Sequence, residues 1–145
     1  MATIERFEDL DVWKNARKLT NRVYEHARQE PFSKDLGLRD QIQRASVSIM
    51  SNIAEGFESH TQSIFVDYLG RARGSAGEVR AQLYVALDQG YLSEPEFETT
   101  HQLVETTSRQ LFRLVEYLKS RPNASRVQEE SVGYQIDLDE PGCVQ

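Results

Sequence analysis

One short stretch, residues 44–56, carries an unusual set of polar side chains for a helix. At helical spacing, Arg44, Ser48, Ser51 and Glu55 would share one narrow side of a helix, with Asn52 at its edge. A guanidinium, a hydroxyl, an amide and a carboxylate could hold a polar ligand in a groove, or could bind a neighbouring helix. Charged groups in packed regions are retained only when they are paired. The pattern therefore favours a network that sets the register between helices over a ligand site.

Arg44 and Glu55 are about three helical turns apart, which is too far for them to pair along one helix. Each therefore needs a partner from elsewhere in the chain. Arg71 and Glu78 are the obvious candidates, because a second helical segment places both on one face.

A second candidate site consists of five arginines on the two middle helical segments: Arg39, Arg44, Arg71, Arg73 and Arg80. If several copies of the chain form a symmetric ring, these side chains could converge into a basic patch that binds phosphate groups. The alternative is a solvated face, on which Asp67 pairs with Arg71 four residues later. The solvated face is the favoured interpretation.

The spacing of Glu98 and His101 matches the Glu-x-x-His motif of di-iron bundles. That chemistry needs a second such pair, and neither His26 nor His60 follows a glutamate by three residues. The glycine-rich stretch 70–77 lacks the lysine of a phosphate-binding loop. We therefore expect no catalytic site, no metal and no cofactor.

Four amphipathic helical patterns must position these side chains, over about residues 10–28, 38–57, 61–89 and 93–120. In each pattern apolar residues recur at steps of three and four and form a stripe. Asp9 or Asp11 could cap the first helix, and Ser93 with Glu96 forms a capping box at the start of the fourth. Four such helices predict an all-α, up-down antiparallel four-helix bundle.

The second helical pattern is apolar on two sides. Ile49 and Ile53 belong to its core stripe, whereas Val47, Met50 and Ala54 lie more than a quarter-turn away. A helix that is apolar on two sides is usually buried on two sides. Because one small bundle rarely supplies both contacts, we infer a second contact between molecules.

The third helical pattern carries a row of glycines opposite its core face, at Gly70, Gly74 and Gly77. Each glycine inside a helix costs about 0.5–1 kcal/mol relative to alanine, and close approach of another backbone is the simplest compensation. The chain is therefore expected to bind copies of itself. The candidate interface or binding residues are Arg44, Ser48, Asn52, Glu55, Arg71, Gly74, Gly77 and Glu78.

The length of 145 residues suits one domain with a substantial core. We assign residues 1–120 to the bundle and residues 121–145 to an acidic, flexible tail, because the helical period is lost there. Within the tail, Tyr134, Ile136 and Leu138 alternate with polar residues. An alternative is therefore a short extended segment that docks on a neighbouring subunit.

The formal net charge of −6 argues against the broad basic surface that non-specific nucleic-acid binding needs. No apolar run is long enough to span a membrane, and the first residues lack the apolar core of a signal peptide. Cys143 is the single cysteine, and no histidine near it in sequence could activate it. These features predict a cytoplasmic protein.

Three motifs, in order along the chain, resemble one known family. They are the opening stretch 7–16, the stretch 41–56 that ends in Asn-Ile-Ala-Glu-Gly, and the pair of stretches 74–79 and 90–92. Together they resemble the four-helix-bundle proteins associated with intervening sequences of bacterial 23S ribosomal RNA genes. The resemblance covers about residues 5–120.

This resemblance implies an all-α bundle, a homopentamer and no known enzymatic activity. Related bundles accompany reverse transcriptases in diversity-generating retroelements, where a basic surface binds nucleic acid, whereas this chain is acidic. The partners implied are copies of the chain itself and, as a further candidate, RNA or a nucleic-acid-processing protein.

Overall fold

Four helices joined by short turns make up the computed structural model, which describes residues 3–121. The helices are α1 (Asp11–Ala27), α2 (Leu36–Glu58), α3 (Gln62–Asp88) and α4 (Glu94–Ser120). Two single turns of 3-10 helix precede α1 and α2, at Phe7–Asp9 and Phe32–Lys34. All four predicted helices are confirmed, and their ends lie within two residues of the predicted ones.

Each helix packs against the next one in sequence, and α1 also packs against α4. Helices α1 and α4 are antiparallel. Asn15, early in α1, bonds Gln110, whereas His26, at the end of α1, bonds Thr100, which comes earlier in α4. The predicted all-α, up-down antiparallel four-helix bundle is therefore confirmed for the described residues.

The core is built from the apolar stripes that the sequence pattern indicated. Ile49, Ile53, Leu69 and Leu111 are completely inaccessible to solvent, as are many of their neighbours on all four helices. On α1, Leu19 is equally buried. Burial of this apolar area, at about 25 cal/mol per Å², is the main force that holds the helices together.

Two helix starts are stabilised by side chains, and a third is not. The predicted capping box of α4 is confirmed: the Ser93 hydroxyl accepts from the Glu96 N–H at 3.2 Å, and the Glu96 carboxylate accepts from the Ser93 N–H at 2.8 Å. Asp35 caps α2 by accepting from the Leu38 N–H. The prediction that Asp9 or Asp11 caps α1 is wrong, because Leu10 occupies the cap position and no side chain bonds there.

The α2–α3 corner is unusually tight at Gly56. A Cβ atom built on Gly56 would lie 2.7 Å from the Tyr68 Cβ and 2.9 Å from the Phe65 ring. Side-chain contacts of that length are essentially absent from real proteins, so glycine is required where α3 crosses the end of α2.

Candidate interaction surface

Part of the polar segment of α2 bonds within the chain and joins α2 to α3. The Ser48 hydroxyl lies 2.8 Å from the hydroxyl of Ser75, which is buried on α3. The Asn52 amide donates to the Ser48 hydroxyl at 3.0 Å and to the Ser48 carbonyl at 2.8 Å. These three side chains form a hydrogen-bonded cluster, which we call the α2–α3 seam, in which the Ser48–Ser75 contact joins the two helices.

The charged members of the candidate set lie outside this seam and face solvent. Arg44 pairs with Asp40 one turn earlier on its own helix at 3.0 Å, and its side chain is 80% exposed. Arg71 lies over the Tyr68 ring, with 4.6 Å between the guanidinium carbon and the ring centroid. Within residues 3–121, the expected ion pairs from α2 to α3 are therefore not formed, because local partners are closer.

Glu55 and Glu78 are likewise exposed. Glu55 borders a shallow depression of about 440 Å³ near the end of α2, together with Ser51, Ala54 and Glu58. Among the described residues, the proposed pair of Asp67 with Arg71 is not formed either, because the Arg71 guanidinium lies over the Tyr68 ring instead. The candidate charges thus form an outward surface of the α2–α3 hairpin.

The glycine row also faces outward on α3. A Cβ atom built on Gly70, Gly74 or Gly77 would have no neighbouring heavy atom within 4 Å. Close approach of a backbone from the same chain therefore does not compensate for these glycines. An intermolecular contact remains the prediction for this face.

Apolar side chains are also exposed on α2 and α3. Val47 on α2 is 40% exposed, and Ile64 and Val85 on α3 are 41% and 45% exposed. Val47 belongs to the second apolar side of α2. We call the exposed parts of the two helices that carry Val47, Ile64, Val85 and the glycine row the outer α2–α3 face.

All five candidate arginines have partners inside the chain. Besides Arg44 with Asp40 and Arg71 over Tyr68, the other three are also engaged. Arg39 donates to the Ser33 carbonyl at 2.9 Å, Arg73 lies over the Phe112 ring, and a terminal nitrogen of Arg80 lies 4.0 Å from Glu105. Convergence of all five into one basic patch would require several copies of the chain, and it stays a prediction.

The Glu-x-x-His stretch is a packing element. His101 stacks on Phe97 and meets Tyr84 edge-on, while its Nδ1 atom lies 3.6 Å from Glu105. Glu98 is exposed. Among residues 3–121, no group of three or more His, Cys, Asp or Glu side chains is arranged to hold a metal ion.

A second histidine joins α1 to α4. The Nε2 atom of His26 lies 2.8 Å from the hydroxyl of Thr100, which is fully buried. Burial lowers the pKa of His26 below its usual 6.5, and Arg22 acts in the same direction, whereas Glu96 and Glu25 oppose the shift. The neutral imidazole therefore suits this contact.

A basic groove on α1 was not predicted. It has a volume of about 550 Å³ and lies between α1 and the residues just before it, lined by Arg6, Glu8, Trp13, Lys14, Arg17, Lys18 and Asn21. The signal was present in the sequence, because Lys14, Arg17 and Lys18 follow a spacing of three and four on the face opposite the core stripe. Trp13 packs partly against the core and also borders this groove.

Two further expectations concern regions beyond these surfaces. Residues 122–145, including the alternating segment of the predicted tail, lie outside the described residues. Within residues 3–121, no helix combines the length and the apolar character that crossing a bilayer requires.

The fold and its contacts define a small all-α bundle protein whose buried polar groups hold helices together. The profile of the 23S rRNA-intervening sequence protein family matches residues 8–113, and the chain belongs to that family. One similar solved structure, from Bacteroides thetaiotaomicron, is described as a protein with unknown function from the S23 ribosomal protein family.

That structure superposes with a TM-score of 0.67 at 20% sequence identity, over 72% of this chain and 98% of the other. At this identity the likeness shows the shared fold alone. No curated protein matches the chain.

Proposed function

We propose that the protein is a non-enzymatic homo-oligomer, a pentamer as the family resemblance implies, that serves in the cytoplasm as a scaffold or binding protein. The observation that carries this proposal is the outer α2–α3 face. There, three glycines in a row have open space around them, and apolar side chains on both helices are exposed.

The energetics of this face favour a partner. Gly70, Gly74 and Gly77 weaken α3 by about 0.5–1 kcal/mol each relative to alanine. Exposed Val47 and Val85 add apolar area that would be removed from water at about 25 cal/mol per Å². A second copy of the chain, with its helix backbone close to the glycine row, would compensate for both costs.

The non-enzymatic part of the proposal draws on the roles of the polar side chains. Ser48, Asn52 and Ser75 bond one another, and His26 and His101 are engaged in helix contacts. These contacts support structural rather than catalytic roles for the seam and for the two histidines. Arg44, Glu55, Arg71 and Glu78 are exposed, so they can contact a neighbouring copy or a bound partner.

The oligomer is tested by size-exclusion chromatography with light scattering at micromolar concentration. Five copies of the 16.7 kDa chain would give a mass of about 84 kDa. The variant Gly74→Leu places a bulky side chain on the glycine row and should reduce the mass towards that of one chain. Gln102→Leu adds the same side chain to an exposed position of α4 and should leave the mass unchanged.

A monomeric wild-type protein would contradict the proposal, and an unchanged mass for Gly74→Leu would refute this face as the interface. Circular dichroism and urea unfolding of both variants separate lost assembly from lost folding.

An alternative function is an accessory protein that binds RNA or DNA through the arginine patch of a pentameric ring. The exposed positions of Arg44 and Arg71 on one outward surface favour it. It predicts RNA binding that weakens steeply with added salt and that Arg44→Gln with Arg71→Gln abolishes. Absence of binding at low salt would remove this alternative.

A further inference from the structure

The groove on α1 concentrates positive charge on an acidic protein. Lys14, Arg17 and Lys18 line one wall, and Arg6 adds a fourth cation from the segment before α1. Glu8 is the single acidic side chain in the lining, where it lies 3.5 Å from Arg6. The local formal charge is thus about +3, whereas the whole chain carries −6.

The three cations on α1 are available to a ligand. Lys14, Arg17 and Lys18 are exposed, and no carboxylate of residues 3–121 forms an ion pair with any of them. Elsewhere on the surface, by contrast, Lys34 pairs with Glu30 four residues away. Arg17 and Lys18 follow Lys14 by three and four residues, roughly 4.5 and 6 Å along the helix axis, so the three cations lie within about one helical turn.

An aromatic ring borders the same groove. Trp13 is partly buried, is held edge-on by Phe7 at 5.2 Å, and has the Arg17 guanidinium 6.0 Å from its ring centroid. A ring fixed in this way beside cations can stack with a flat ligand without first being ordered. Cations that follow a phosphate backbone, interleaved with an aromatic ring that can stack on a base, are the pattern of single-strand binding sites.

We propose that the α1 groove binds an unpaired nucleic-acid strand. Lys14, Arg17 and Lys18 contact successive phosphates, and the edge or face of Trp13 contacts a base. An acidic peptide would satisfy the cations but would leave the indole without a stacking partner. This site is separate from the outer α2–α3 face, so it does not depend on the proposed oligomer.

The number of cations limits the strength of binding. Three or four phosphate contacts on a single strand release counterions with a salt slope of about −2 to −3, at roughly 0.7 per contact. The affinity should therefore fall roughly 20- to 50-fold between 50 and 200 mM salt. The net charge of −6 on the whole chain opposes binding outside the groove.

Trp13 is the single tryptophan of the chain, so its fluorescence reports on this groove directly. The experiment titrates the full-length protein with a 12-nucleotide RNA of mixed sequence, with the matching DNA, and with the RNA duplex. Quenching of Trp13 emission and anisotropy of a labelled strand are measured together at 50 and 200 mM salt. We expect saturable quenching by either single strand, weaker quenching by the duplex, and the salt dependence given above.

The decisive variant is the triple change Lys14→Gln, Arg17→Gln and Lys18→Gln, which should weaken binding at least tenfold at 50 mM salt. The control removes the same number of lysines and arginines from other exposed positions, by Lys34→Gln, Lys119→Gln and Arg121→Gln. It should retain wild-type quenching within about twofold.

Three results would overturn the proposal. They are no binding at 50 mM salt, equal losses in the two triple variants, or polyglutamate that binds and quenches as tightly as the strands. The last result would assign the groove to an acidic protein partner. Light scattering of the same samples keeps this outcome separate from that of the oligomer, because quenching can be measured on a monomer or a pentamer.

Discussion

Gly56 and Tyr68 hold α2 and α3 so close together that no side chain fits between them. A methyl group at position 56 would come within 2.7 Å of the Tyr68 Cβ. The Tyr68 ring in turn lies beneath the Arg71 guanidinium. One contact at the corner of the hairpin thus connects the glycine at the end of residues 44–56 with a charged residue of the outward surface.

Gly56→Ala should therefore destabilise the protein, although alanine normally favours a helix. Propensity would contribute about 0.5–1 kcal/mol of stabilisation, whereas forcing an extra carbon into a packed contact costs about 1–3 kcal/mol. We expect a net loss of about 1–2 kcal/mol in the free energy of unfolding, measured by urea denaturation.

Gly37→Ala on the same helix is the matched control. A Cβ atom there would meet nothing closer than the Asp35 carboxylate at 4.0 Å. This change should be neutral or stabilise the protein by up to about 1 kcal/mol. Stabilisation by Gly56→Ala of the same size would show that the corner can open at no cost, contrary to our account.

The Ser48–Ser75 hydrogen bond should contribute to stability as a pair. Ser48→Ala and Ser75→Ala each leave a hydroxyl without its 2.8 Å partner, and the double variant removes both. A double-mutant cycle in urea should give a coupling energy of about 0.5–1.5 kcal/mol.

Ser51 lies on α2 near this pair but is exposed. The cycle of Ser51→Ala with Ser75→Ala should therefore be additive within about 0.5 kcal/mol. Additivity of both cycles would mean that the α2–α3 seam does not set the register.

His26 should make stability depend on pH. Its pKa in the folded protein is lowered, chiefly by burial, whereas the unfolded chain titrates near 6.5. As the pH falls below 6.5, the unfolded chain takes up a proton before the folded protein does. The stability that His26 contributes is therefore fully present above pH 6.5 and is lost as the pH falls through the pKa of the folded state. The midpoint of urea unfolding should decrease over this window.

His26→Gln keeps a side-chain amide that can reach Thr100 and removes the titrating ring. In this variant the midpoint of urea unfolding should decrease less below pH 6.5 than it does in the wild type. Equal pH profiles for both proteins would assign the effect to other groups. Glu96 titrates in a more acidic range, because bonds from the Ser93 backbone and hydroxyl lower its pKa below 4.5.

Ser93→Ala should weaken α4 by removing its cap. Loss of a serine cap costs about 0.5–2 kcal/mol, and here the Glu96 N–H loses its acceptor. Thr61 occupies the cap position of α3 without a side-chain bond, so Thr61→Ala is the control and should cost a few tenths of a kcal/mol. Equal losses in thermal unfolding would argue against the capping box.

Several features of the candidate sites could not be predicted because they depend on neighbours distant in sequence. The polar pattern of α2 was interpreted as a network of ion pairs and hydrogen bonds between helices, but only Ser48 bonds to α3, through Ser75, which was not predicted. Arg44 was expected to reach α3, but Asp40 was already available one turn away. Helical spacing shows which side chains share a face, whereas their choice among partners depends on packing distances.

By itself, the sequence determined the number of helices, their ends to within two residues, most of the core stripe and the capping box of α4. These features depend on apolar periodicity and on bonds between residues three or four apart, which are local. The tertiary structure decided which glycines pack against another helix and which have open space around them. Gly56 is in contact with α3, whereas Gly70, Gly74 and Gly77 face outward. It also placed Arg6 beside the cations and the indole of α1 to form a groove, because only the folded chain brings separate segments within contact distance.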